Sequence, residues 1–287
     1  MRLSSIAIPL LALSVAACSG STEPVKEWEL SGFENPESAL PDIEDEVIYV
    51  SNVAGQPNGK DGNGYISKIS PDGKMIQDKW VRGLHAPKGM VIVQDRLYVA
   101  DIDALIEIDL TDGKIVRRYT AQGAKILNDV AADAEGRVYV SDWGSQAIWR
   151  FEDGQFEKWL ESDDLQSPNG LLIESDKLIV AAWGTMNPED FSTKVPGRLL
   201  SVDIADKTIT PLGDKPIGNL DGIEPFDAES YIVTDWVAGK VFQIDREGSA
   251  KQLLSLSQGS ADLGFISGTR TAIIPLMMDN KVVAYTF

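Results

Sequence analysis

Residues 127–160 read LNDVAADAEGRVYVSDWGSQAIWRFEDGQFEKWL, and four short strand-like runs can be cut from them. They are Leu127 to Ala131, Arg137 to Ser141, Ala147 to Phe151 and Gln155 to Leu160, with Asp153 and Gly154 as the tight turn between the last two. The same unit recurs in phase along the chain. Glu37, Lys88, Asn128, Asn169, Asp221 and Asp262 each open a short apolar segment. One hairpin later comes a second landmark, as in Tyr98-Val99-Ala100-Asp101 and Tyr139-Val140-Ser141-Asp142. Self-similarity at roughly 40 to 50 residues per unit, with several strands in each and little helical periodicity, is the pattern of a β-propeller. The chain therefore reads as all-β, a six-bladed β-propeller with four-stranded antiparallel blades.

The last unit runs through Thr271 to Leu276 and Lys281 to Phe287 and stops one strand short. Val25 to Leu30 (VKEWEL) resembles the fourth strand Gln155 to Leu160 (QFEKWL), so residues 25–30 are expected to close the last blade and remove two sheet edges. This places a single domain over residues 25–287. Ahead of it, Arg2 and the apolar run Ile6 to Val15 read as a signal peptide over residues 1–17, too short to span a bilayer. Val15-Ala16-Ala17-Cys18 resembles the lipobox of bacterial lipoproteins, which implies lipidation of Cys18, the only cysteine. Residues 18–24 make a short tether, and Ser19 after the cysteine points to the outer membrane, facing the periplasm.

A net charge of −18 argues against nucleic acid and against an anionic membrane surface as partners, leaving the lipid on Cys18 as the membrane contact. A cation or an uncharged small molecule fits better. In a propeller the six phase-matched residues converge on the axis, and their formal charges sum to −2. Carboxylate and amide oxygens are hard ligands, which makes calcium the first choice of divalent cation, with zinc, manganese and magnesium as the others open to the set. A structural zinc cluster is excluded by one His and one Cys. The plainer alternative is that Asn, Asp and Glu here only cap turns at strand starts.

The ordered stretches Pro36-Glu37-Ser38, Leu127-Asn128-Asp129-Val130, Ser167-Pro168-Asn169-Gly170-Leu171 and Leu220-Asp221-Gly222-Ile223 resemble the regucalcin (senescence marker protein)/gluconolactonase group of six-bladed propellers, over about residues 31–287. The resemblance implies that Glu37, Asn169 and Asp221 bind one divalent metal, that Asn128 sits beside it, and that the activity is hydrolysis of a lactone or ester. On that reading Asp221 also orients or deprotonates the attacking water, and Asn128 hydrogen-bonds the substrate. The rival is a non-catalytic propeller lipoprotein, ordered by the same metal, that binds a small ligand or an envelope protein.

Lys88 departs from the family pattern, since an ammonium group beside a cation is unfavourable at low dielectric. Asp262 could neutralise it, it could grip an anionic substrate, or its stem could carry the charge away from the axis. His85 lies near the mouth, where it could shuttle protons or be incidental. Two long Gly, Pro and Asn-rich loops, Val53 to Gly64 and Gly184 to Gly197, are expected to face each other across the mouth, unless they are merely tolerated insertions. Asn52, Asp101, Asp142 and Asp235 are expected to close turns. Trp143, Trp183 and Trp236 fit either blade packing or the lining of a vestibule.

Overall fold

In the computed structural model, which describes residues 23–187 and 192–287, six four-stranded antiparallel sheets follow one another along the chain. The expected signal peptide, Cys18 and most of the expected tether lie outside the described residues. Blade 3 has strands Leu127–Ala132, Val138–Asp142, Ala147–Glu152 and Gln155–Glu161, each within two residues of the run read from the sequence. Its last turn places Asp153 at φ 51° and Gly154 at φ 79°, the left-handed pair that a two-residue hairpin needs.

Alternation along each strand feeds two interfaces. In blade 3, Val138 and Val140 pack toward blade 2, whereas Tyr139 packs toward blade 4 with Trp159, Leu171 and Val180. One apolar layer fills each of the six blade contacts, including that between blades 6 and 1, where Ala39, Ile48 and Val50 meet Ile273, Val282 and Ala284. At roughly 1.5–3 kcal/mol for each large side chain removed from water, these layers hold the ring together, and no blade could bury both faces alone.

The N-terminal strand Val25–Ser31 pairs with the last strand Lys281–Thr286, from Val25 opposite Thr286 to Ser31 opposite Lys281. It also reaches blade 1: Trp28 Nε1 donates to Pro71 O at 2.9 Å, and the indole lies where a Cβ on Gly73 (φ 76°) would stand. Near the axis the seam closes again, with Asp262 N–H donating to Glu37 O at 2.9 Å and Ala39 N–H to Asp262 O at 3.2 Å. The ring is thus sealed at its rim and at its centre.

Candidate axial site

A bulge at one phase of the repeat turns the axial residues inward. In blade 3, Leu127 pairs with Asp142 but Val130 pairs with Val140, so the inner strand carries one extra residue. The same shift occurs after Pro36, Pro87, Pro168 and Leu220. Glu37, Lys88, Asn128, Asn169 and Asp221 each follow the first paired residue and lie within these bulges, which bend a strand and re-aim its side chains. Asp262 occupies the matching place in blade 6, in a parallel bridge with Ser38 of blade 1.

In most blades the next position must be small, because neighbouring inner strands converge there. A Cβ on Gly170 would collide with Asp221 O, and one on Gly222 with the backbone of Asp262 and Leu263. Blade 6 carries Leu263 at this position, and blade 3 carries Asp129. Its carboxylate accepts from Val130 N and, across the blade boundary, from Leu171 N, both at 2.7 Å. Asp129 thus ties blades 3 and 4 together beside Asn128.

Four of the axial residues are deeply buried: Glu37 is 5% exposed, Lys88 and Asp221 4%, and Asn169 1%. Asn169 Nδ2 donates to Leu220 O at 3.3 Å, and its side chain also hydrogen-bonds the Asp221 carboxylate. Glu37 Oε2 and Asn169 Oδ1 are buried acceptors with no donor among the described residues. Burial, then the charge of Asp221, pushes the Glu37 carboxyl well above its ordinary range, and Lys88 offsets this only in part. Burial and the charge of Asp262 do the same to Asp221, while Asn169 pulls it back. The site concentrates oxygen acceptors and negative charge that the protein itself leaves uncompensated, and a bound cation fits such a donor set. Among the described residues, no three His, Cys, Asp or Glu side chains gather into a metal cluster. The candidate set of two carboxylates and one amide falls outside that description.

Asn128, less buried than Asn169, opens the inner strand of blade 3. Asp262 accepts a 2.5 Å hydrogen bond from Ser38 Oγ, and burial pushes it up to about 7. It does not pair with Lys88. That ammonium, on a side chain 4% exposed, donates to Pro57 O at 3.0 Å and Ala86 O at 2.9 Å, so the stem carries it toward the mouth. Burial lowers the Lys88 pKa, against the opposing pull of Glu37 and Asp101. His85 Nδ1 accepts from Gly62 N–H at 3.2 Å, which leaves only Nε2 for proton transfer. Both residues hold the long loop of blade 1.

Two carboxylates that the sequence reading passed over join the set. Asp129 stands where Ser38, Gly89, Gly170 and Gly222 stand in other blades, and Glu224 stands where Leu40, Val91, Ala131 and Leu172 do. A charge at a small or apolar phase was the available signal. Burial, with Asp262 nearby, raises Asp129 well above its usual range and pushes Glu224 up to about 8.

Around the axis, the ends of the second strands are stapled to the approach of their own inner strands. Asp101 accepts from His85 N and Ala86 N, Asp142 from Lys125 N and Ile126 N, and Asn52 Oδ1 from Glu34 N. The following residue forms the rim. Trp143 N–H donates to Ile126 O (2.9 Å), Trp183 N–H to Ser167 O (2.9 Å) and Trp236 N–H to Asn219 O (3.0 Å), each two residues before an axial side chain. Trp143 and Trp183 meet edge-to-face at 5.6 Å, and Trp183 meets Trp236 at 6.0 Å. The long segment of blade 4 contains its own hairpin, Gly184–Met186 against Thr193–Pro196. The larger surface clefts, such as that lined by Lys215, Phe242 and Glu247, share no residue with the axis.

No protein-family profile and no curated protein matches the chain. Solved structures do. A protein whose description assigns it to the gluconolactonases superposes with a TM-score of 0.68 at 16% identity, covering 93% of this chain and 92% of that one. A catalytically inactive variant of virginiamycin B lyase from Staphylococcus aureus, solved with quinupristin, gives 0.61 at 14% identity, covering 92% of this chain and 100% of that one. The protein is a six-bladed propeller, similar in architecture to these structures. Likeness at this level of identity establishes the fold and leaves the activity to the site.

Proposed function

We propose that the protein is a divalent-cation-dependent hydrolase, calcium being the preferred ion, that opens a lactone or ester. The observation that carries the reading is the pair of orphaned buried acceptors, Glu37 Oε2 and Asn169 Oδ1, beside Asp221. Glu37, Asn169 and Asp221 would hold the ion. When bound, it supplies charge compensation for these carboxylates and polarises a carbonyl oxygen. Asn128, at the same level of the axis and more exposed, offers its amide to the substrate. Asp221 orients the attacking water and takes its proton. The water oxygen bonds to the carbonyl carbon, the bond to the leaving oxygen breaks, and that oxygen receives the proton, giving an acid and an alcohol or, from a lactone, one hydroxy acid.

Elimination of the kind named for the lyase neighbour is the less favoured chemistry. That enzyme's histidine-to-alanine form is described as inactive, and the one histidine here, His85, spends Nδ1 on the mouth loop. For location, we propose lipid anchoring through Cys18 in the bacterial envelope; Cys18→Ser should move the protein from the membrane fraction to the soluble one.

The deciding experiment is a calorimetric calcium titration and a screen of lactones and esters, with and without chelator, on the wild type and Asp221→Ala. Loss of both binding and turnover in the variant is expected. Undiminished calcium binding would refute the ligand set, and binding without turnover would favour a ligand-binding propeller over an enzyme.

A further inference from the structure

The rim of the mouth carries more information than the axial residues alone. Trp143, Trp183 and Trp236 are partly exposed, and each backbone is pinned two residues before Asn128, Asn169 and Asp221 respectively. They form one arc over the half of the axis where the amide and carboxylate groups would face a substrate. Apolar surface continues outward from it. Val237, 42% exposed, follows Trp236, and Val195, 47% exposed, pairs with Thr185 two residues beyond Trp183.

We infer that this arc binds an uncharged planar aromatic ring attached next to the reacting carbonyl, so that the substrate class is an aryl or aromatic-acyl ester or lactone. Geometry offers no cage to the other common occupant of an aromatic site. Indole centroids 5.6 and 6.0 Å apart are in ring-to-ring contact, leaving no gap in which an ammonium group could sit as in an aromatic cage. The arc is a wall, and a flat ring extends it by one more offset or edge contact. Anionic ligands are disfavoured by the net charge of −18. Trp183 Nε1–H is buried without an acceptor among the described residues, so an oxygen beside the ring has a donor to meet.

The inference deepens the hydrolase reading for the position of the carbonyl, but ring binding stands apart from turnover, and the test separates them. In chelator, tryptophan fluorescence is titrated with 4-nitroacetanilide, a neutral, planar and slowly hydrolysed probe, and in parallel with phenyltrimethylammonium. Saturable quenching by the neutral probe is expected, weakened roughly fivefold or more in Trp183→Leu and Trp236→Leu. Val237→Glu, an exposed change that leaves the packing alone, should weaken it as well. Equal affinity in all variants, tighter binding of the ammonium, or no saturable quenching overturns the inference. If turnover exists, methyl benzoate should outpace methyl cyclohexanecarboxylate, which has the same leaving group, in kcat/KM, and the two tryptophan variants should lose that preference. Turnover of aliphatic lactones without quenching would sink the aromatic wall and spare the hydrolase; quenching without turnover would do the reverse.

Discussion

The mouth of this propeller has two halves built from one position in the repeat. In blades 3, 4 and 5 the residue after the second strand is Trp143, Trp183 or Trp236, open to solvent on one side. In blades 6, 1 and 2 it is Met277, Val53 or Ile102, which pack with Ala86 under the loop that follows Val53. Four of the six, Val53 included, make the same backbone bond to the carbonyl two residues before an axial side chain. Blade 6 moves the bond back by one, from Met277 N–H to Gly259 O, and blade 2 makes none. Ile102 turns into the left-handed region at φ 55°, a costly place for a β-branched residue, and the Ala86 carbonyl receives the Lys88 ammonium instead of an amide. The difference teaches that the repeat fixes the backbone address, whereas the side chain and the insertion above it decide access. The closed half carries the one buried cation among the described residues, and the open half carries Asn128, Asn169 and Asp221.

The largest expected effect concerns charge shared by both halves. Asp262, on the closed side, is pushed up to about 7, and Glu224, on the open side, to about 8. Without a divalent cation the folded state keeps protons that the unfolded chain releases near pH 4. Stability should therefore be greatest below about pH 4 to 4.5 as far as these groups decide it, and fall as pH rises toward 8. At about 1.4 kcal/mol per pH unit per group, the swing reaches several kcal/mol as an upper bound, with Glu224 discounted for its partial solvent access. Thermal melts of chelated protein from pH 5 to 8 should show a falling Tm, and calcium should restore more at pH 8 than at pH 5. Asp262→Asn and Glu224→Gln should each flatten the slope. A flat profile in the chelated wild type would mean that the axial charge is already compensated.

Much of this was legible because the bulge keeps its phase. Period and turn residues placed the strands, the likeness of Val25–Leu30 to Gln155–Leu160 placed the closing strand, and the phase of Glu37, Asn128, Asn169 and Asp221 placed them at the axis. Lys88 resisted, since a four-carbon stem lets the charge settle several ångströms from its Cα, and its partners are carbonyls that every residue has. Asp129 and Glu224 were visible as breaks in the small and apolar phases. Neither falls at the axial phase, where polar residues recur from blade to blade.

Lys88→Met tests the closed half next. It deletes two charged hydrogen bonds that hold Pro57 and Ala86 and removes the positive charge that steadies Glu37. A loss of about 2–3 kcal/mol is expected in chemical denaturation, with faster proteolysis between residues 53 and 64. Calcium should nevertheless bind tighter, by roughly tenfold, because a competing cation has gone. Weaker calcium binding in this variant would place Lys88 among the supports of the ion site, and the two halves would then not be separable.

The smallest effect is the sharpest contrast between the halves. Val53 is fully buried among Ala86, Ile102 and Met277, so Val53→Ala leaves a void that the loop, tied by Lys88, His85 and the Lys60–Asp103 ion pair, cannot collapse to fill. It should cost about 1–2 kcal/mol for the loss of two methyl groups. Trp236→Leu removes more atoms, yet the indole is partly in water and touches Trp183 from one side, so its loss should cost about 1 kcal/mol or less. Paired denaturation curves read the order directly. If Trp236→Leu is the costlier change, the aromatic arc is primarily packing between blades, and the open half of the mouth is open in outline alone.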